Sequence, residues 1–289
     1  SLIPSAQALP NPRGTAPGWW VEREGHMIVA LPGPPVEMHF MWEHEAVPRL
    51  RQRASGEIIL SRTLKTFGRG EASVDELVSP FFASPNPTLG IYAKPDGVHL
   101  RLAAKAGSRE EALSLIAPAE TQLRSLLGDS VWGQDDDTLE ASVGKMLRER
   151  GLTLATMELG TGGSLASVIT EAEASDGFYK GGLVSSTAEA ALAWGAEGGP
   201  FAEFGAVSAQ AAAALSRAAL RLGASLGLGL TAPSGGEGGA QAGVGFLCVS
   251  DGVRAKESRV WAPPNRADTR RRLASAALFQ LRRFLLETG

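Results

Sequence analysis

One cysteine in 289 residues leaves no partner for an internal disulfide and no thiolate cluster for zinc. That residue, Cys248, sits in a strand-like apolar run. Histidine is nearly as scarce, with four in the chain and none after His99, so a Ser-His pair is excluded from the C-terminal part. No apolar run approaches the ~18 residues that span a bilayer. No signal-peptide pattern opens the chain either, and a cytoplasmic location is the expectation. Basic residues are outnumbered, 28 Lys and Arg against 31 Asp and Glu. A net charge of −3 argues against nucleic acid as the main partner, because phosphate backbones require clustered Lys and Arg. What remains is an ordinary soluble composition, 44% hydrophobic and 20% charged, long enough for two or three domains.

The chain is organised around Thr153 to Ser186. A short apolar run, Leu152 to Met157, gives way to Gly160, Thr161, Gly162 and Gly163, after which Leu165, Ala166, Val168 and Ile169 recur at helical spacing. Strand, glycine loop and helix in that order leave backbone N–H groups free at a helix N-terminus, where a phosphate or carboxylate can approach. A tight turn without a ligand would produce the same pattern, since a lone Gly-rich loop is not specific.

Ahead of this stretch the sequence predicts two other modules. In residues 1–52, the apolar runs Trp19 to Val21 and Met27 to Leu31 flank a turn at Glu24 and Gly25, which predicts a hairpin, and a helix is expected from Val36 to about Leu50. His26, His39 and His44 lie here among Glu37, Glu43 and Glu45, but only His39 and Glu43 share a helix face, so a solvated face is preferred to a metal site. Residues 53–132 read as an α+β module. It has a strand from Ile58 to Phe67, a helix from Glu71 to Phe82, and strands Leu89 to Ala93 and Val98 to Ala104 about a Pro95, Asp96, Gly97 turn. A second helix is opened by a Ser108/Glu111 capping box.

Residues 133–289 form the third module. Asp135, Asp136 and Asp137 look like the acidic lead-in to a helix that Gly151 stops. An alanine-rich helix follows Ser208, and its small side chains suit either close self-association or an internal position. Leu226 to Leu230 alternates with glycine, a second glycine loop runs from Thr231 to Gly239, and two strands precede a helix from about Arg266 to Glu287. Strands alternating with helices make this α/β.

The central stretch resembles the C-terminal domain of the CinA family (competence/damage-inducible protein A), which includes nicotinamide mononucleotide deamidases and carries the loop ESCTGG. Here that loop is Glu158, Leu159, Gly160, Thr161, Gly162, Gly163. The resemblance implies a nucleophilic serine at the position of Leu159. Against the family segment TYSNEAK it places Ser186 at the tyrosine and Ala191 at the lysine. The second loop is similar to TGIAGPxGG, with Gly235, Gly238 and Gly239 matching, and the family GDR step survives as Pro264, Asn265, Arg266. Residues 1–52 resemble the end of the family's molybdopterin-binding-like domain through NPRGTAPG and LPGPPVEM, and 53–132 its KH-like middle domain.

The family's N-terminal domain is roughly three times longer than this segment. The chain starts at Ser1, which suggests trimming, and pyrophosphatase activity is not assigned to it. A KH domain grips nucleic acid through a GxxG loop, which Gly68 and Gly70 do not form, so the middle module is read as a spacer. Taken with the family, the sequence predicts a catalytically silent deamidase-like domain without cofactor or metal. It would bind a phosphate-bearing nucleotide through Thr161, Gly162, Gly163, Gly238, Gly239 and Arg266, and form a homodimer as family members do. The alternative is an active amidohydrolase with a relocated Ser-Lys dyad drawn from Lys180, Ser185 and Ser186 beside Tyr179.

Overall fold

The computed structural model describes residues 5–53, 56–233, 243–261 and 266–287. The chain falls into two compact units, Ser1–Ile59 with Lys105–Glu111, and Leu60–Ala104 with Ala112–Gly289.

The first unit carries a three-stranded antiparallel sheet of β1 (Ala6–Leu9), β2 (Gly18–Arg23) and β3 (His26–Ala30). Its predicted hairpin forms, with Arg23 opposite His26 and a two-residue turn in which Glu24 and Gly25 both have positive φ, the primed geometry that matches strand twist. The predicted helix is interrupted. Helix α1 (Pro35–Met41) runs through a π-turn, Trp42–Ala46, into α2 (Val47–Arg53), and the Val47 N–H reaches the Trp42 carbonyl. Pro48 accounts for the interruption, because it has no N–H and its ring would collide with the carbonyl four residues back. Leu9, Trp20 and Met41 form the small core. His44 stacks on Phe40 and bonds the Phe40 carbonyl at 2.9 Å, while His39 and Glu43 are exposed.

The second unit begins with the α+β module. Its elements are β4 (Ile58–Thr66), α3 (Glu71–Val78), β5 (Thr88–Lys94), β6 (Gly97–Ala106), α4 (Arg109–Leu127) and β7 (Val131–Gln134), with sheet order β5-β6-β4-β7. Helix α3 stops four residues short of expectation because Pro80 lies in the following 3₁₀ turn, Ser79–Ala83. The serine half of the capping box forms, Glu111 N–H bonding Ser108 Oγ at 3.1 Å, while the Glu111 carboxylate accepts at 2.8 Å from the N–H of Gly107, one residue before the cap.

The acidic run corrects an expectation. Helix α5 (Leu139–Glu149) is capped by Thr138, whose hydroxyl accepts from Ala141 N–H. Asp135 instead accepts from Thr63 N–H at 2.9 Å and pairs with Arg62, and Asp137 accepts from Gln134 N–H. These carboxylates tie β7 to β4 and close the turn after β7, because chain reversal there needs acceptors more than the helix end does.

The C-terminal part is a three-layer α/β domain. Its elements continue as β8 (Leu154–Leu159), α6 (Ser164–Glu171), β9 (Tyr179–Ser185), α7 (Ala188–Ala193), α8 (Gly198–Phe204) and α9 (Ala209–Leu220). They finish as β10 (Leu226–Thr231), β11 (Val244–Ser250), β12 (Ala255–Trp261) and α10 (Arg266–Leu286). The sheet order is β12-β11-β10-β8-β9, with β8 parallel to both neighbours and β11 antiparallel to both β10 and β12. Leu residues of β8 and β10 pack with α5, α6 and α10 on one face, and Ala155, Met157 and Leu159 pack with α9 on the other.

The alanines of α9 are explained by this sheet. A Cβ at Gly227 or Gly229 would lie 2.1 Å from the carbonyl of Ser216 or Ala212, so helix and strand approach backbone to backbone. The alanine stripe is therefore an internal core position, with Ala211, Ala212, Ala214 and Ala219 fully buried.

Candidate functional site at the carboxyl ends of the parallel strands

Crossovers leave β8 and β9 toward opposite faces, so the loops after β8 and β10 meet at a topological switch point, where α/β sheets open a ligand crevice. The loop after β8 makes the turn with Gly160, Gly162 and Gly163, all at positive φ, and Gly163 precedes α6 in the left-handed region. Backbone closes off Gly160, and Gly162 faces the end of an arginine side chain. A Cβ at Gly160 would stand 2.1 Å from the Ala232 carbonyl, and one at Gly162 would stand 2.9 Å from the Arg270 guanidinium.

The helix N-terminus behind the loop is already occupied. Glu158, fully buried near the end of β8, accepts from Ala166 N–H at 2.8 Å through Oε1, and from Leu165 N–H at 3.2 Å through Oε2. The Thr161 hydroxyl donates to the same Oε2. Two of the N–H groups expected to be free are thus satisfied by a side chain seven and eight residues upstream, and Thr161 points its hydroxyl at that carboxylate. The cation at the loop is Arg270 on α10, whose Nη2 lies 3.5 Å from the Gly160 carbonyl, while its buried Nε has no hydrogen-bond partner among the described residues.

On the opposite face, Leu159 and Ala191 join one apolar cluster with Met157, Phe201 and Leu215, Leu159 being 4% exposed and Ala191 fully buried. Two of the three family positions therefore fall in one apolar cluster, both with hydrocarbon side chains. Ser186 is exposed in the loop after β9. Arg266 is the first residue of α10, and Gly238 and Gly239 lie outside the described residues.

The relocated dyad is not assembled. Lys180 is exposed at one end of β9 and Ser185 buried at the other, about 17 Å apart at ~3.3 Å per residue. A register shift opposite Leu154 and Ala155 puts Tyr179 with the core facing α6, and leaves Leu183 facing α9. The Tyr179 hydroxyl is 2.6 Å from Thr156 Oγ1; burial raises its pKa, the Thr156 bond opposes that, and nearby Glu158 adds to it. Ser185 Oγ donates to the Glu158 carbonyl.

Sequence reasoning missed Glu158 and Arg270. The signal for Arg270 was its spacing, one helical turn beyond Arg266 and so on the same face. Glu158 was visible only as the first residue of a loop motif, and its reach into the helix end is a tertiary fact.

Comparison with known proteins fits this geometry. Residues 61–133 match the damage-inducible protein CinA KH domain, and residues 136–285, more than half the chain, match the CinA C-terminal domain. A CinA-like protein of Nostoc punctiforme is 40% identical over 99% of this chain and 71% of its own length. The chain belongs to the CinA family.

A putative competence-damage inducible protein of Moorella thermoacetica is 44% identical over 83% of the chain, but over only 59% of its own length. The chain thus spans well under the full length of these CinA relatives. Among solved structures, a CinA superfamily protein from Enterobacter cloacae is 27% identical and aligns with 52% of this chain and 95% of its own, at a TM-score of 0.48. Among the described residues, no group of three His, Cys, Asp or Glu side chains could hold a metal, and no helix is long and apolar enough to cross a membrane.

Proposed function

We propose that the CinA domain of this chain holds a phosphate-bearing nucleotide at the carboxyl ends of β8 and β10 without hydrolysing an amide. The observation that carries this reading is the enclosure of Leu159 and Ala191 in a single apolar cluster. Amide hydrolysis by the family route requires a hydroxyl, a base to take its proton and a donor to hold it. Leu159 and Ala191 supply none of these, and Ser186 has a hydroxyl in place of a phenol. Binding is supported by the Arg270 guanidinium against the glycine loop, at a switch point of the kind where α/β sheets take ligands. Glu158 works against an anion at the helix end, so the guanidinium rather than the helix N–H groups is the anchor.

Incubation with nicotinamide mononucleotide tests the reading: no ammonia is released above the buffer blank. Calorimetry gives weak binding of simple nucleotides that Arg270→Ala removes. Turnover abolished by Lys180→Ala would overturn silence, and binding indifferent to Arg270→Ala would overturn the anchor.

The wider reading follows the family. Residues 1–52 are taken as the end of a molybdopterin-binding-like domain, 53–132 as a KH-like spacer and 133–289 as the deamidase-like domain, in a cytoplasmic homodimer that needs no cofactor. With α9 internal, self-association rests on the family alone. Light scattering that gives a monomer across micromolar concentrations would refute it.

A further inference from the structure

The second unit holds a cavity of about 470 Å³ that shares no residue with the glycine loop, between α10, the edge strand β12, the β4–α3 loop and the β5–β6 turn. Arg272, Ala276 and Gln280 follow at four-residue intervals, so one face of α10 lines it. On β12, Ser258 stands opposite Leu247, whose side chain packs in the core with α10, so Ser258 and Val260 belong to the cavity side. Arg259 and Trp261 turn to the α9 face and lend only backbone. Phe67 and Phe279, with ring centroids 5.0 Å apart, make an aromatic wall. Gln280 is the group that packing does not explain. It is 5% exposed, Ala276 and Phe284 one turn to either side are buried hydrocarbon, and its amide nitrogen is buried with no hydrogen-bond partner among the described residues. A leucine would fill the same space without that cost. The charged lining is Arg69, Lys94, Arg272 and Arg283 against Glu71. Arg283 lies near Glu287, but Arg69 and Arg272 bond neutral acceptors, Ser130 Oγ and the Trp261 carbonyl, which leave their charge unbalanced.

We propose that this cavity binds a small aromatic carboxylate. The ring packs against Phe67, Phe279, Leu247 and Val260, an oxygen of the ligand accepts from the Gln280 amide, and the cations of the lining balance its single charge. Glu71 among them opposes a ligand of several charges, so a polyphosphate or a nucleic acid is disfavoured. The volume is that of a site for a small organic molecule, in which apolar walls hold the body and a few polar groups fix its orientation. A neutral ring would use the walls and not the cations.

The test uses the full chain with benzoate as the probe and benzyl alcohol as its neutral counterpart, read by saturation-transfer NMR. The expected result is transfer to benzoate that far exceeds transfer to the alcohol. Gln280→Leu weakens benzoate binding at least fivefold, and this variant melts at or above the parent, because hydrocarbon replaces a buried amide that has no partner. That pairing separates a ligand-binding amide from a structural one. Replacing Lys94 and Arg272 together by methionine also weakens benzoate at least fivefold, while Arg51→Met, at an exposed position of α2, leaves it unchanged. Absence of transfer to benzoate, equal transfer to benzyl alcohol, equal loss in Arg51→Met, or no loss in the Lys94 and Arg272 double variant would each overturn the proposal. So would a Gln280→Leu variant that binds benzoate as the parent does or melts below it.

Discussion

Restoring the family residue at position 159 destabilises the domain and does not restore activity. Leu159 ends β8 at 4% exposure, packed among Met157, Ala191, Phe201 and Leu215. Removing a leucine side chain from such a site costs about 3–5 kcal/mol, through lost burial and the cavity left behind. A serine adds a hydroxyl at about 1–3 kcal/mol if it finds no partner. The strand end allows some relaxation, so the lower sum applies, about 4 kcal/mol. For a domain of this size, each kcal/mol shifts the melting midpoint by roughly 2–4 °C, so Leu159→Ser melts roughly 8–16 °C lower. Circular dichroism and tryptophan fluorescence through the transition measure it, and an ammonia assay on the same sample shows no turnover, because Ala191 supplies no amine. A midpoint within 2 °C of the parent, or release of ammonia from nicotinamide mononucleotide by the single variant, would show that the Leu159 pocket is open rather than closed by packing.

Glu158→Gln sets an amide nitrogen against one of the helix N–H groups and costs about 2 kcal/mol in urea denaturation; an unchanged midpoint would mean that the carboxylate does not cap α6. Gly162→Ala forces a side chain into positive φ, 2.9 Å from the Arg270 guanidinium, so it lowers the melting midpoint and changes nucleotide affinity in calorimetry; an alanine variant matching the parent in both would place Arg270 away from the loop. Burial pushes the Cys248 thiol up to about 11 from an ordinary value of 9.0. The unfolded chain therefore releases a proton near pH 9 that the folded chain keeps. The stability is fully present below pH 9 and is lost between pH 9 and 11, by up to about 3 kcal/mol. Melting curves at pH 8 and pH 10 should show a decline that Cys248→Ala reduces; an equal decline in both proteins refutes it.

Elements with local signals were legible in the sequence. The β2–β3 hairpin, the Ser108 and Ser208 caps and the stop at Gly151 each follow from a side chain bonding or freeing its own neighbourhood, and each stands within a residue or two of its expected place. What could not be read locally was the destination of side chains whose partners are distant in sequence. Asp135 bonds Thr63, 72 residues away, and Arg270 reaches Gly160, 110 residues away. The π-turn lies between these cases, since Pro48 is plain in the sequence and acts on the turn that precedes it.

The glycines that match the family loop have a structural role independent of any ligand. Gly162 and Gly163 match the family loop, where Gly160 stands in place of its cysteine, and that match invites the inference that a ligand is retained with them. The structure supplies a different cause for both, because the backbone at each is left-handed and favours glycine with or without a ligand. A domain that bound nothing would need the same glycines. Leu159 and Ala191 are equally what a packed core tolerates, so chemistry can be lost while the fold keeps its shape. The loop motif is therefore evidence of architecture. Evidence of a ligand has to come from groups that packing does not require, which at this end of the sheet means the Arg270 guanidinium, with its buried Nε unpartnered among the described residues. Burying a guanidinium nitrogen without a partner costs stability, and an anion at the loop would offset that cost. Nucleotide binding should accordingly raise the melting midpoint of the parent and leave that of Arg270→Ala where it was.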